Sequence, residues 1–88
     1  MRRRRANRAR LYRSPAYREL TARLAENVRR LRAARGWTQE QTAERCELAP
    51  RMLQAIEAGD ANATLVTVAR LAAGLGVDAS QLVARRGR

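Results

Sequence analysis

Histidine, lysine and phenylalanine are all missing from this sequence, and cysteine occurs once, as Cys46. Each absence closes a class of function. A lone cysteine cannot form an internal disulfide. With no histidine beside it, it cannot build a zinc site from the usual soft ligands. No cluster of carboxylates and no glycine-rich phosphate loop stands out. The expectation is therefore a chain that is not an enzyme and takes no metal or cofactor. Long apolar runs are missing too. The longest charge-free stretches are residues 61–69 and 71–77, far short of the ~20 apolar residues of a membrane span. The N-terminus lacks the apolar segment of a secretory signal. It is arginine-rich and acid-poor, like an organelle transit peptide, but has few hydroxyl residues and runs straight into the domain. The expected compartment is the cytoplasm. Proline occurs only twice and β-branched residues are few, whereas Ala, Leu, Arg and Glu dominate. Those four are good helix formers, so an all-α chain is expected.

The length of 88 residues allows one small domain. A core of that size is marginal alone, which makes a partner subunit plausible. The net charge is +11, carried entirely by arginine, and its distribution says more than its size. Residues 1–18 hold eight Arg and no acid, and residues 85–88 hold three Arg. The stretch 19–84 balances eight Arg against eight acids. A neutral domain with basic ends suits a polyanionic partner. Residues 1–13 read as a basic arm kept disordered by self-repulsion, residues 14–84 as the domain, and 85–88 as a basic tail.

The domain reads as five helices. Ser14-Pro15 is a helix start, with a hydroxyl cap before a proline whose missing N–H costs nothing there. Leu20, Leu24, Val28 and Leu31 then form an amphipathic stripe, and Gly36 stops the helix near Arg35. Thr38 and Gln41 form a capping box for a short second helix. Glu47-Leu48-Ala49 is a tight connection. Pro50 opens a third helix with Leu53 and Ile56 facing inward and Gly59 as its stop, although Ala49 is a poor cap. After a loop over 60–63, Thr64 caps a fourth helix with Leu65, Val68, Leu71, Ala72 and Leu75. Gly74 weakens its last turn and Gly76 ends it. Asp78 and Gln81 form a second capping box, for a short fifth helix carrying Leu82 and Val83.

At these spacings the sequence resembles the lambda-repressor/Cro-like family of helix-turn-helix proteins, also called the xenobiotic-response-element family. The carriers are Val28, Leu31-Arg32, Arg35-Gly36-Trp37-Thr38-Gln39-Glu40, Ala43, Leu48, Leu53, Ile56-Glu57 and Gly59. Leu65, Val68, Leu71-Ala72, Leu75-Gly76-Val77 and Leu82 complete the pattern. The resemblance spans roughly residues 20–83 and implies a compact five-helix DNA-binding domain, with the bihelical unit at 38–59. It also implies a structural salt bridge between Arg32 and Glu57. Ala43 is small where the third helix must cross, and Leu48 plugs the turn.

The resemblance implies a DNA-binding transcriptional regulator, in the first instance a repressor of prokaryotic or phage type, associated with the nucleoid. Its third helix would enter the major groove of double-stranded DNA. Gln39 would touch a phosphate; the alternative is a solvated first-turn residue. Arg51 matches a base-reading position and can donate two hydrogen bonds to guanine, or else meets a phosphate or only solvent. Gln54 would read a base or a phosphate. Met52 would touch a thymine methyl or pack inward, and inward packing is the favoured reading. Pro50, Ala55 and the loop residue Asn62 complete the candidate surface. Pro50 and Ala55 stand where relatives often carry polar readers, so this surface is sparse. Arg2, Arg3, Arg4 and Arg5 would add phosphate or minor-groove contacts, or serve as a non-specific tail. Trp37 is expected to pack at the core or its rim, and Cys46 to act as a small hydrophobe. Spare apolar residues (Val66, Val77, Leu82 and Val83) agree with the homodimers common in the family. The competing readings are a weakly specific nucleic-acid accessory protein and an antitoxin-like module that binds a protein partner.

Overall fold

The structure is a computed structural model and describes residues 7–86. All regular structure among the described residues is helical. The helices are α1 (Asn7–Tyr12), α2 (Pro15–Arg35), α3 (Gln39–Arg45), α4 (Pro50–Glu57), α5 (Leu65–Leu75) and α6 (Ser80–Val83). The five expected helices are α2 to α6. The addition is α1, which occupies residues expected to lie in a disordered arm. Leu11 and Tyr12 supply it with apolar surface, and its last turn closes through Arg13 N–H to Arg10 and Ser14 N–H to Leu11.

The helix starts follow the capping residues in the sequence. The Ser14 hydroxyl accepts the Tyr17 N–H at 3.1 Å. Thr38 and Gln41 make a complete capping box, and Thr64 accepts the Thr67 N–H. Ala49 gives α4 no side-chain cap. At α6 the expected box is rearranged. The Asp78 carboxylate accepts the Ser80 N–H at 2.9 Å, while Gln81 Oε1 accepts the Asp78 N–H at 3.1 Å. The Ser80 side-chain and backbone hydrogen bonds together hold the Asp78 carboxyl below its ordinary value.

The helix ends share one device. An N–H two or three residues past the helix reaches back to a carbonyl in the last turn: Trp37 to Arg32, Leu48 to Ala43, Asp60 to Ala55 and Val77 to Ala72. This closure needs a left-handed residue at its corner. Gly36, Gly59 and Gly76 supply it in three cases, whereas Glu47, with φ of 56°, supplies it in the turn between α3 and α4.

α2 is the spine, packed mainly against α4 and α6, while α3 rests on α4 and α5. Leu24, Val28 and Leu31 of α2 meet Ala43, Leu53, Ile56, Leu71, Leu75 and Leu82 in one core. The α2 stripe starts one turn later than expected, because Leu20 is 46% exposed. Gly74 has a packing role rather than only a cost in helix propensity. A Cβ there would lie 2.5 Å from Cys46 Sγ and 2.7 Å from the Arg45 carbonyl oxygen. Cys46 is enclosed against this contact, and burial pushes its thiol pKa up. Asn27 is also buried. Its amide donates to the carbonyls of Leu82 at 2.9 Å and Ala84 at 3.0 Å, tying the end of α6 to α2. Among the described residues no helix is long and apolar enough to cross a membrane.

Candidate nucleic-acid interface

α4 presents two different faces. Leu53, Ile56 and Glu57 fall three and four residues apart, so they share one side of the helix. All three are buried. Glu57 is only 5% exposed, and a carboxylate so enclosed requires partners. Arg32 supplies a two-pronged pair, Nε to Oε2 at 2.6 Å and Nη2 to Oε1 at 3.1 Å. Gln39 donates its side-chain amide to Glu57 Oε1 at 2.8 Å. Arg29 donates to the Glu57 carbonyl. Arg32 also donates to the Trp37 carbonyl at 2.9 Å. Arginine's planar fork suits such a cluster. The expected Arg32–Glu57 bridge is therefore present, and it joins α2, α3 and α4 at one point.

The opposite face of α4 carries side chains without partners. Arg51 and Gln54 are exposed. Among the described residues neither side chain has a hydrogen bond or an ion pair. Pro50 is exposed at the helix start, and Ala55 is half-buried. Met52 does not pack inward: it is 38% exposed. Leu53 and Ile56 fill the inward positions, and Met52, one residue from Leu53, is turned away from them. Met52, Arg51, Ala55 and Asn62 line one open concavity of about 410 Å³, together with Ala49 and Ala61. Four of the expected contact residues thus come together there. Pro50, Gln54 and Gln39 lie outside that lining. The Thr42 side chain in α3 is fully buried and returns its hydroxyl to the Thr38 carbonyl at 2.9 Å.

A helix-turn-helix family model matches residues 28–82, which include the whole bihelical unit. The chain belongs to the helix-turn-helix family, in its lambda-repressor/Cro-like form. It is 39% identical over 69 residues to a protein described as a Neisseria hypothetical transcription factor, from Neisseria meningitidis serogroup B. That match covers 78% of this chain, and the chain spans about 65% of the curated relative's length. The crystal structure of hypothetical transcription factor NHTF from Neisseria superposes with a TM-score of 0.71 at 40% identity, covering 74% of this chain and 75% of that one. The restriction-modification controller protein C.AhdI from Aeromonas hydrophila superposes with a TM-score of 0.68 at 29% identity, over 70% of this chain and 94% of that one.

Around the helix-turn-helix unit, most arginines are already engaged. Arg45 stacks on the Trp37 ring at 4.3 Å and Arg35 approaches it at 5.7 Å. Trp37 packs half-buried against the core, so it is a rim residue held by cations. Arg35 also donates to the Leu75 carbonyl, and Arg70 to the Glu47 carbonyl. Arg85 and Arg86, the described arginines of the C-terminal end, are paired with acids. Arg85 pairs with Glu19 at 3.1 Å and Arg86 with Glu26 at 3.7 Å. Such exposed pairs contribute little to stability. Glu19 is shared with Arg23, whose hydrogen bond and charge, with the charge of Arg85, hold its carboxyl below the ordinary value. Arg2, Arg3, Arg4 and Arg5 lie outside the described residues. Sequence reasoning missed Arg29 and Asn27, whose partners are backbone carbonyls far along the chain, and Arg45, whose partner is the Trp37 ring. Thr38 and Gln41 signalled a cap, but nothing signalled that Gln39 would turn to Glu57.

Proposed function

We propose that this chain is a DNA-binding transcription regulator that lays α4 in the major groove. The observation that carries this reading is the contrast on α4. Its inner face is held by the Glu57 cluster, while Arg51 and Gln54 stand exposed and unpaired on the outer face. A rigidly held helix with uncommitted donors is what base-edge recognition requires. The relatives' descriptions, transcription factor and restriction-modification controller, support the same reading. Arg51 is the candidate guanine reader, with Gln54 beside it. The Gln39 amide gives one of its two hydrogens to Glu57, which leaves the other for a phosphate. The arginine-rich residues 2–5 would add phosphate or minor-groove contacts. The regulator would be a repressor without enzymatic activity, acting in the cytoplasm.

It would act as a homodimer. Leu65 is 86% exposed and Val66 60% exposed at the start of α5, which gives a partner apolar surface to cover. Two-fold symmetry would set the two α4 helices one DNA turn apart, about 34 Å.

The test is a salt-titrated binding measurement by fluorescence anisotropy. A duplex selected by this protein from a random library is compared with unselected random duplex. A specific regulator should prefer the selected duplex by at least ~10³-fold at physiological salt. Equal affinity with equal salt dependence would sink the specific reading and favour an accessory protein. Absence of binding to either duplex would remove DNA as the partner.

A further inference from the structure

α1 is not merely an addition to the fold; it is fastened to a particular place. The Tyr12 ring packs against Tyr17 at the start of α2, with centroids 5.3 Å apart and planes at 43°. Its hydroxyl accepts a 2.9 Å hydrogen bond from the Asn62 side-chain amide, fifty residues away in sequence. Asn62 belongs to the loop between α4 and α5 and lines the same concavity as Arg51, Met52 and Ala55. The last turn of α1 is thereby pinned to the rim of the outer face of α4. The bond is exposed, so burial does not require it; water could satisfy both groups. Its effect is to fix position.

What it positions is charge. Among the described residues, Arg23, Arg32, Arg85 and Arg86 pair with acids. Arg29, Arg30, Arg35 and Arg70 donate to carbonyl or amide oxygens. Arg45 lies on Trp37. Among the arginine side chains that are described, four have no such partner: Arg10, Arg13, Arg18 and Arg51. Arg51 lies on α4, and the other three surround Tyr12 in sequence, in a stretch with no acid before Glu19. Among the described side chains, the arginines left uncommitted are thus that of α4 and those near the pin.

We propose that the Tyr12–Asn62 bond is a clamp that makes the α1 end a fixed basic flank of the α4 surface. Arg10 and Arg13 then contact phosphates of the same duplex that α4 reads. Tyr12 is a positioning residue, acting through these arginines. The inference rests on the DNA-binding reading above. The pairing itself had no signal in the sequence, since Tyr12 and Asn62 are fifty residues apart and no local pattern links them.

The experiment uses the full chain and the selected duplex. Affinity is measured over a salt series for the wild type, Tyr12→Phe, Asn62→Ala and the double variant. Arg10→Gln/Arg13→Gln is made in the wild-type and Tyr12→Phe backgrounds. Each phosphate contact contributes a log–log slope of about −0.9. Tyr12→Phe should therefore weaken binding about three- to tenfold at low salt and flatten the slope by about one to two. The double variant with Asn62→Ala should be weaker than Asn62→Ala by much less than that loss. The arginine substitutions should flatten the slope in the wild type and have little effect in the Tyr12→Phe background. Thermal melting of Tyr12→Phe should match the wild type. An unchanged slope, fully additive losses, or tighter binding by Tyr12→Phe would overturn the clamp. A wild type that binds no DNA overturns the functional reading itself, whereas a binding wild type with indifferent variants overturns the clamp alone. Retention of an acidic protein, with no effect on DNA binding, would reassign the flank to a protein partner.

Discussion

On the inner face of α4, Leu53, Ile56 and Glu57 are enclosed, and Glu57 accepts from Arg32 and Gln39 on two other helices. On the outer face, one or two residues away, Arg51 and Gln54 are exposed and have no partner among the described residues. One short helix therefore holds both a fully committed polar group and two uncommitted ones. The difference separates two tasks. The inner face fixes where α4 lies, and its groups are spent on that. The outer face contributes little to folding, so its donors remain available for an external ligand. The comparison makes a sharp forecast: substitutions on one face should change stability, and substitutions on the other should change binding.

The largest effect is expected at Glu57. Glu57→Ala leaves Arg32 facing a buried void and removes the acceptor of Gln39 at the same time. Breaking a buried pair from one side typically costs about 3–5 kcal/mol, a large share of the stability of a domain this small. Urea denaturation followed by circular dichroism measures it. A loss below about 1 kcal/mol would mean that the pair behaves as a surface bridge, and the contrast between the faces would fail on its inner side.

Gly74 tests whether the scaffold beyond α4 is equally committed. In a free helix, Gly→Ala gains about 1 kcal/mol. Here the new Cβ would lie 2.7 Å from the Arg45 carbonyl oxygen and from Cys46 Cα, backbone atoms that cannot turn aside. Gly74→Ala should therefore destabilise by about 1–3 kcal/mol, the usual range for overpacking. A rise in melting temperature would show that α5 has room to move away from α3.

Arg51→Ala is the counterpart on the outer face. It should cost about 1–3 kcal/mol of binding to the selected duplex and relax preference at one base position. Because the side chain is exposed and unpaired, folding stability should change by less than about 0.5 kcal/mol. A matching loss of stability would show that Arg51 belongs to the scaffold after all. Loss of affinity that is equal on every sequence would make it a phosphate contact.

The same division explains how much of the molecule was legible in the sequence. Capping residues and left-handed glycines act over three to five positions, so Ser14, Thr38, Thr64, Gly36 and Gly59 marked the helix boundaries directly. The Arg32–Glu57 pair spans 25 residues and came from family resemblance, not from local pattern. Contacts without a pattern of either kind stayed hidden. Gly74 looked like a weak helix position because the Cys46 it touches lies 28 residues earlier in the chain. Met52 looked like core because apolar character reads the same on either face. Tyr12 and Asn62 were unconnected until the fold brought them within 2.9 Å. The arginine count implied a polyanion, but only the structure separates the engaged arginines from the free ones.

The smallest effect concerns the turn that sets the two helices of the unit against each other. Glu47 occupies the left-handed corner, with φ of 56°, where Gly36, Gly59 and Gly76 serve the other helix ends. A residue with a Cβ pays roughly 1–2 kcal/mol for that conformation, partly offset because glycine loses more backbone freedom on folding. The exposed Glu47 side chain makes no hydrogen bond or ion pair among the described residues; its carbonyl accepts from Arg70 and its N–H donates to the Glu44 carbonyl. Glu47→Gly keeps that carbonyl and the Leu48 N–H closure to Ala43, so it removes strain without removing a contact. The expected result is a gain of about 0.5–1 kcal/mol in chemical denaturation, with affinity for the selected duplex within a factor of two or so, because Glu47 itself does not line the concavity with Arg51. A loss of stability would mean that the corner is not strained. A loss of affinity without a loss of stability would mean that the turn, and not only the Glu57 cluster, sets the angle at which α4 is presented.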